Sequence, residues 1–137
     1  MNASISDDQK IAIFQEMARA WHDQEWRTCA DLFAVDGVLH SVMLDPVVGR
    51  ETIYNRISKL GGAHKEVTLH IHRIGTIAGA LVVERTDEIV LHGAKGECPV
   101  VGVLEFDGDK IARWRDYYDR AQLERAAGHS SAAVRQS

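Results

Sequence analysis

The feature of this sequence that most constrains its fold is the order of its two kinds of segment. Helix-type spacing of apolar residues fills roughly the first 60 residues, and most of the remaining chain is β-prone and divided by short glycine-containing turns. Long strands joined by tight turns pair antiparallel, because parallel neighbours need a long crossover. We therefore predict an α+β domain whose helices pack in the concave side of a curved, mixed or antiparallel sheet and leave a pocket at its open end. The four long strands are predicted to begin at Val67, Leu81, Val100 and Ile111.

Three helices are predicted in the first part of the chain. Ser6 and Gln9 form a capping box, in which each side chain satisfies the other's backbone N–H, at the start of the first helix. The second helix is expected to run through Phe33 and to stop at Asp36-Gly37, before a short strand over Val38 to Val42. The third helix is expected to bury a stripe made of Ile53, Ile57 and Leu60.

Composition sets the class of the protein. The chain has 137 residues, is 45% hydrophobic and carries a formal net charge of −4, which is typical of one globular domain. We expect a single domain over residues 1–137, with residues 1–5 and 127–137 flexible. No window gathers the Lys/Arg cluster that nucleic-acid binding needs, and the longest nearly uncharged stretch, Ile74 to Val83, is ten residues, too short for a membrane span. The acidic start does not resemble a secretory signal, so a cytoplasmic location is expected.

Two of the predicted strands carry charged groups in apolar rows. Alternation puts Arg85 and Asp87 on the face of their strand that also holds Val83 and Ile89. In the last strand Asp116 shares a face with two aromatic residues. Charges in apolar rows are costly to desolvate and often functional, although an ion network that only fixes sheet register would give the same pattern. Both interpretations stay open on spacing alone.

The motifs around these charges resemble one family. They are Glu84-Arg85-Thr86-Asp87, Val101 to Phe106, Trp114 to Asp119, and Pro46 to Arg50 ahead of the third helix. Together they resemble the limonene-1,2-epoxide hydrolase family, from the first helix to about Leu123. The resemblance implies the curved, cone-shaped α+β fold shared with nuclear transport factor 2, ketosteroid isomerase and SnoaL-type cyclases, and a homodimer. Fold alone implies no activity.

The resemblance also implies a chemistry. Asp116 would be the general base that takes a proton from water, Asp87 the general acid that protonates the epoxide oxygen, and Arg85 the bridge between them. The substrate would be a small hydrophobic epoxide, terpene-like or cyclic, opened to a vicinal diol in one step. A strained ring supplies leaving-group drive, so no cofactor and no metal is expected.

The strand before the Gly-Arg motif departs from the family pattern. Family members carry a Tyr and an Asn there to hold the attacking water, and this chain has Leu39 and Ser41. Ser41 is therefore the candidate water-positioning residue, because a leucine side chain has no hydrogen-bonding atom. An apolar substrate pocket is predicted from Trp21, Leu39, Leu60, Ile89, Val100, Tyr118 and Leu123.

Two other functions and a metal site remain as alternatives. Loss of the Tyr/Asn pair would suit an intramolecular epoxide-opening cyclase or an isomerase, and the same scaffold also serves as a non-catalytic small-molecule-binding module. His70 and His72 put two imidazoles on one strand face, as the start of a metal site would, but no third ligand is placed by the sequence.

Overall fold

A computed structural model describes residues 4–128. The end segments 1–3 and 129–137, most of the residues expected to be flexible, lie outside the described part. Within it are four helices, α1 to α4, and six strands, β1 to β6. In chain order they are α1 (Asp7–His22), α2 (Trp26–Asp31), β1 (Phe33–Ser41), β2 (Val47–Val48), α3 (Arg50–Ile57), β3 (Lys65–Ile77), β4 (Ala80–Leu91), β5 (Ala94–Asp107), β6 (Lys110–Tyr118) and α4 (Arg120–Ala126).

The strands form one curved, open sheet in the order β2-β1-β6-β5-β4-β3. Strands β3 to β6 are consecutive antiparallel neighbours, as their tight turns predict. The exception is the parallel pairing of β1 with β6, which sets Leu39 opposite Trp114 and Ser41 opposite Asp116. The predicted fold class, a curved mixed sheet with helices packed against it, is confirmed.

Helix α1 covers the inner face of the sheet. Its capping box is present, with the Ser6 hydroxyl accepting from the Gln9 backbone N–H at 3.1 Å. Phe14 and Trp21 on its buried face meet Trp114 of β6, with ring centroids 5.5 and 5.6 Å apart. Aromatic pairs in edge-to-face contact add about 0.5–1.5 kcal/mol to the burial of their surface. Helix α1 is thereby fixed against the strand that carries Asp116.

The prediction for the second helix is wrong at its end. Helix α2 stops at Asp31, and Phe33 begins β1, which continues through Asp36-Gly37. The pairing of β1 with β6 shifts register between Phe33 and Val38. A Cβ at Gly37 would lie 2.9 Å from the Ala34 carbonyl oxygen and 3.0 Å from that of Ile111. The glycine thus serves a close backbone approach where the pairing of β1 with β6 is irregular, and not a helix stop.

Smaller differences from the predicted fold concern α3 and α4. Leu60 lies in the turn after α3 and outside the helix. In β3 the pairing with β4 shifts register between Ile71 and Arg73, as a β-bulge does. Helix α4 was not predicted, although Asp119 caps it by accepting from two backbone N–H groups. Within residues 4–128 no helix combines the length and apolar character needed to cross a membrane.

Candidate active site

One buried guanidinium joins two carboxylates on the inner face of the sheet. Arg85 is 2% exposed. It donates to Asp87 through Nε at 2.7 Å and Nη2 at 3.1 Å, and to Asp116 through Nη1 at 3.0 Å and Nη2 at 2.7 Å. The two carboxylate side chains are each 14% exposed, so both keep an opening to the solvent side. The three candidate residues form a single hydrogen-bonded group, called the triad below.

Strand order explains how the triad is assembled. Arg85 and Asp87 are two residues apart on β4 and share a face, while Asp116 lies on β6, with β5 between the two strands. Gly102 of β5 pairs with Asp116 on one side and with Val83 on the other. The Arg85 side chain therefore reaches across β5 near Gly102 to meet Asp116.

Gly102 is a site residue that sequence reasoning did not single out. A Cβ there would lie 2.8 Å from Arg85 Nη1, 3.0 Å from Asp116 Oδ1 and 3.1 Å from Trp114 Nε1. The space above this glycine is occupied by the triad itself. A glycine inside a strand can mark a close approach by other atoms, which was the available signal.

The two carboxylates differ in their hydrogen bonds. Asp116 accepts from Arg85 at both oxygens and from Trp114 Nε1 at 2.6 Å through Oδ1, which makes three donors. Within residues 4–128, Asp87 accepts only from Arg85, through two donors. Donated hydrogen bonds stabilise negative charge, so Asp116 is the better-supported anion of the two. Its Oδ2 accepts a single bond among the described residues and keeps a lone pair for a proton.

Burial acts on the pKa values of the triad. Desolvation raises the pKa of Asp87 above its ordinary value, and the charge and hydrogen bonds of Arg85 oppose that rise only in part. For Arg85 burial acts in the opposite direction, but the two carboxylates outweigh it and raise the pKa of the guanidinium. Arg85 is therefore a permanent cation, and Asp87 is the carboxylate that burial disposes to hold a proton.

A cavity of about 290 Å³ lies next to the triad, and both carboxylates line it. Every residue predicted for the pocket contributes to its wall: Trp21, Leu39, Leu60, Ile89, Val100, Tyr118 and Leu123, together with Ser41. Sequence reasoning did not name the remaining wall residues, which are Leu44, Asp45, Val47, Arg56, Ile57, Lys65, Val67 and Ala127. Arg85 itself lies behind the carboxylates and is not part of the wall.

A wider and shallower depression of about 650 Å³ lies on the opposite face of the sheet. Outward-facing side chains such as Thr86, Val101 and Tyr117 line it, and neither carboxylate does. Its volume is larger, but both carboxylates of the triad line the smaller inner cavity.

The Ser41 hydroxyl has a partner that was not predicted. Tyr118 Oη donates to Ser41 Oγ at 2.9 Å, joining β6 to β1 beside Asp116. Leu39, two residues before Ser41, contributes only apolar surface to the same cavity.

The two strand histidines have partners on the sheet's outer side. His70 Nε2 lies 2.7 Å from Glu88 Oε1, and His72 Nε2 lies 2.7 Å from Thr86 Oγ1. Across residues 4–128 no three side chains of His, Cys, Asp or Glu are grouped so that they could hold a metal ion.

Comparison with known families assigns the chain. The model of the limonene-1,2-epoxide hydrolase catalytic domain matches residues 8–127, which is nearly the whole chain. The chain belongs to the limonene-1,2-epoxide hydrolase family. The resemblance carried by the motifs around Arg85 and Asp116 is thereby confirmed.

Two of the matches come from Mycobacterium tuberculosis, one found by sequence and one by structure. Epoxide hydrolase EphG is 31% identical over 90 residues, a match that spans 56% of this chain and 60% of that protein. The structure of an LEH-like epoxide hydrolase from the same organism superposes with a TM-score of 0.78 at 23% identity, covering 91% of this chain and 89% of the other. At that identity the superposition establishes the fold.

A solved structure from another organism has the same fold. A protein with a ketosteroid isomerase-like fold from Catenulispora acidiphila superposes with a TM-score of 0.76 at 21% identity, over 86% of this chain and 93% of the other. At that identity the superposition again shows a shared fold, and a shared fold does not determine the chemistry of the site.

Proposed function

We propose that this member of the limonene-1,2-epoxide hydrolase family adds water to a small hydrophobic epoxide and releases a vicinal diol in one step. One observation carries the proposal. Two carboxylates with unequal surroundings are held by one buried guanidinium at the wall of an apolar cavity. Epoxide opening needs a base and an acid at the same pH, and unequal surroundings are what separate the two protonation states.

The proposed step conserves atoms and electrons. Asp116 Oδ2 takes a proton from water while the water oxygen bonds to one epoxide carbon. The bond between that carbon and the epoxide oxygen breaks, its electron pair stays on oxygen, and the oxygen takes the proton of Asp87. A proton then passes from Asp116 to Asp87 through solvent, which restores the starting state.

Arg85 supports both partners in this step. With one proton shared by the carboxylates, the triad is neutral before the reaction, and it is neutral again afterwards because the proton has only changed residue. Because the guanidinium is already in place beside both carboxylates, solvent does not have to reorganise when the negative charge moves from one carboxylate to the other. The triad therefore needs neither a metal nor a covalent intermediate for this chemistry.

The cavity limits the substrate class. A volume of about 290 Å³ lies at the lower edge of the roughly 300–1,000 Å³ typical of ligand pockets. Its walls are mostly aliphatic and aromatic apart from the carboxylates, two hydroxyls and three further charged side chains. A compact cyclic or terpene-like epoxide suits these dimensions, because burying its hydrocarbon part leaves the ring oxygen as its one group needing a hydrogen bond.

A panel of epoxides tests the proposal. Purified protein is incubated with cyclohexene oxide, a ten-carbon cyclic terpene epoxide and a polar glycidol control, and products are separated by chiral chromatography. We expect diols from the two hydrophobic epoxides, formed equally well with a chelator present. The Asp116→Asn variant should be inactive, because an amide cannot take the proton, whereas Asp109→Asn in the exposed β5–β6 turn should match the wild type.

Two outcomes would contradict the proposal. A product with the mass of the starting epoxide would indicate the isomerase or cyclase alternative. Tight binding with no conversion of any epoxide would indicate a binding module.

A further inference from the structure

Water at the triad needs more than a base to be oriented. An ordered water in a cavity makes about three hydrogen bonds to polar groups, and Asp116 can supply one of them. Leu39, which stands where family members carry a tyrosine, has no hydrogen-bonding atom in its side chain. The side chains of the cavity wall that carry a hydroxyl group are Ser41 and Tyr118.

Both hydroxyls lie on the same part of the wall as the base. Ser41 is the residue of β1 directly opposite Asp116 in the parallel pairing with β6. Tyr118 follows Asp116 by two residues on β6, so its side chain is on the same face of the sheet. The hydrogen bond of 2.9 Å from Tyr118 Oη to Ser41 Oγ joins the two groups into one polar patch, called the hydroxyl pair below.

The hydroxyl pair keeps unused hydrogen-bonding capacity. The phenol proton of Tyr118 is donated to Ser41, which leaves the lone pairs of Tyr118 Oη free to accept. Ser41 Oγ keeps its own proton and a further lone pair, since among residues 4–128 the phenol is its hydrogen-bond partner. The hydroxyl pair therefore has acceptor positions left for a water in the cavity that Asp116 also lines.

From this geometry we propose that Ser41 and Tyr118 are the positioning residues for the attacking water. The inference rests on the proposed hydrolysis. A water that donates one proton to Asp116 Oδ2 and the other to the hydroxyl pair directs its remaining lone pair away from both, toward an epoxide in the cavity. Tyr118 thus supplies from β6 the phenol that Leu39 cannot supply from β1.

Variants of the hydroxyl pair test this role on an epoxide that the wild type hydrolyses. Tyr118→Phe and Ser41→Ala should each lower kcat roughly tenfold or more, the loss expected for one oriented hydrogen bond, with KM changed less than threefold. The double variant should lose about as much as the stronger single variant, because the two hydroxyls hold one water. Tyr117→Phe is the matched control, since Tyr117 is on the outer face and 47% exposed, and should behave as the wild type.

A second readout separates positioning from a structural role. Hydrolysis of an unsymmetrical epoxide in water enriched in heavy oxygen reports which carbon the water attacks. If the hydroxyl pair fixes the water, both variants should distribute the label more evenly over the two carbons than the wild type does. A hydrogen bond that only ties β6 to β1 would change the thermal unfolding midpoint and leave this distribution alone.

The outcomes distinguish two failures. Active wild type together with unchanged kcat and label distribution in Tyr118→Phe and Ser41→Ala overturns the positioning role alone. No diol from the wild type or from Tyr117→Phe overturns the proposed function, and this inference falls with it. If one variant does not fold, the other still tests the positioning role, because each removes one hydroxyl of the pair.

Discussion

Replacing Gly102 by alanine should disable the triad while leaving the fold in place. The added Cβ would lie 2.8 Å from Arg85 Nη1 and 3.0 Å from Asp116 Oδ1. Ordinary contacts between such atoms are about 3.5–4.0 Å, so the guanidinium and the carboxylate must each move by roughly 0.5–1 Å. A displacement of this size at reacting groups costs up to about a hundredfold in rate. We expect kcat/KM to fall between tenfold and a hundredfold.

The effect on stability should be much smaller. Overpacking a filled interior destabilises a protein by about 1–3 kcal/mol. Replacing glycine by alanine stabilises it by about 0.4–1 kcal/mol, because the unfolded chain becomes less flexible. The free energy of unfolding should therefore drop by no more than about 2.5 kcal/mol, as measured by urea unfolding followed by circular dichroism. The assay for activity is diol formation under first-order conditions in substrate.

Gly75→Ala is the matched control for this substitution. Gly75 lies in β3, and a Cβ there would meet no atom within 4 Å. The Gly75→Ala variant should therefore keep wild-type activity. A folded Gly102→Ala variant with the kcat/KM of Gly75→Ala would refute the reasoning, because the triad would then tolerate the displacement.

Four further predictions concern pH, packing, metals and assembly. Because Asp87 must hold its proton to act as the acid, the rate should fall as pH rises through its raised pKa. Asp87→Asn should lower the rate, and its residual activity should lack that limb of the pH profile. The same raised pKa means that Asp87 stabilises the fold most below the ordinary aspartate pKa and loses that contribution as pH rises through the raised value. The corresponding fall in the thermal unfolding midpoint with rising pH should be weaker in Asp87→Asn. A Cβ at Gly96 would overlap the Ala126 carbonyl group, so Gly96→Ala should detach α4 from β5. Because Leu123 of α4 lines the cavity, KM should then rise in steady-state kinetics. Chelators and the double substitution of His70 and His72 by alanine should leave diol formation unchanged. Light scattering of the purified protein should give the mass of a homodimer.

The sheet and the triad could largely be predicted from the sequence. Consecutive hairpins bring β4, β5 and β6 side by side, so inward charges on β4 and β6 are separated by one strand. Alternation alone then puts Arg85, Asp87 and Asp116 on one face. Their roles came from the family resemblance and not from spacing.

Other parts of the site depend on contacts that sequence patterns do not encode. The parallel pairing of β1 with β6 joins residues far apart in the chain, so the bond between Ser41 and Tyr118 had no local signal. An apolar residue such as Phe33 fits a buried helix face and a buried strand equally well, so periodicity could not choose between the two. Helix α4 is short, and the small residues at its end read as a fraying tail although Asp119 marks its start.

Single-turnover hydrolysis in water enriched in heavy oxygen tests most directly that the triad activates water for attack on the epoxide. Protein is mixed with less than one equivalent of epoxide, and the masses of the diol and of the protein are measured after the first turnover. Direct attack by a water that Asp116 deprotonates predicts one heavy oxygen in every diol and a protein of unchanged mass. Diol without the label, with heavy oxygen in a carboxylate of the protein, would show that a carboxylate attacks the epoxide itself and would contradict the proposed mechanism.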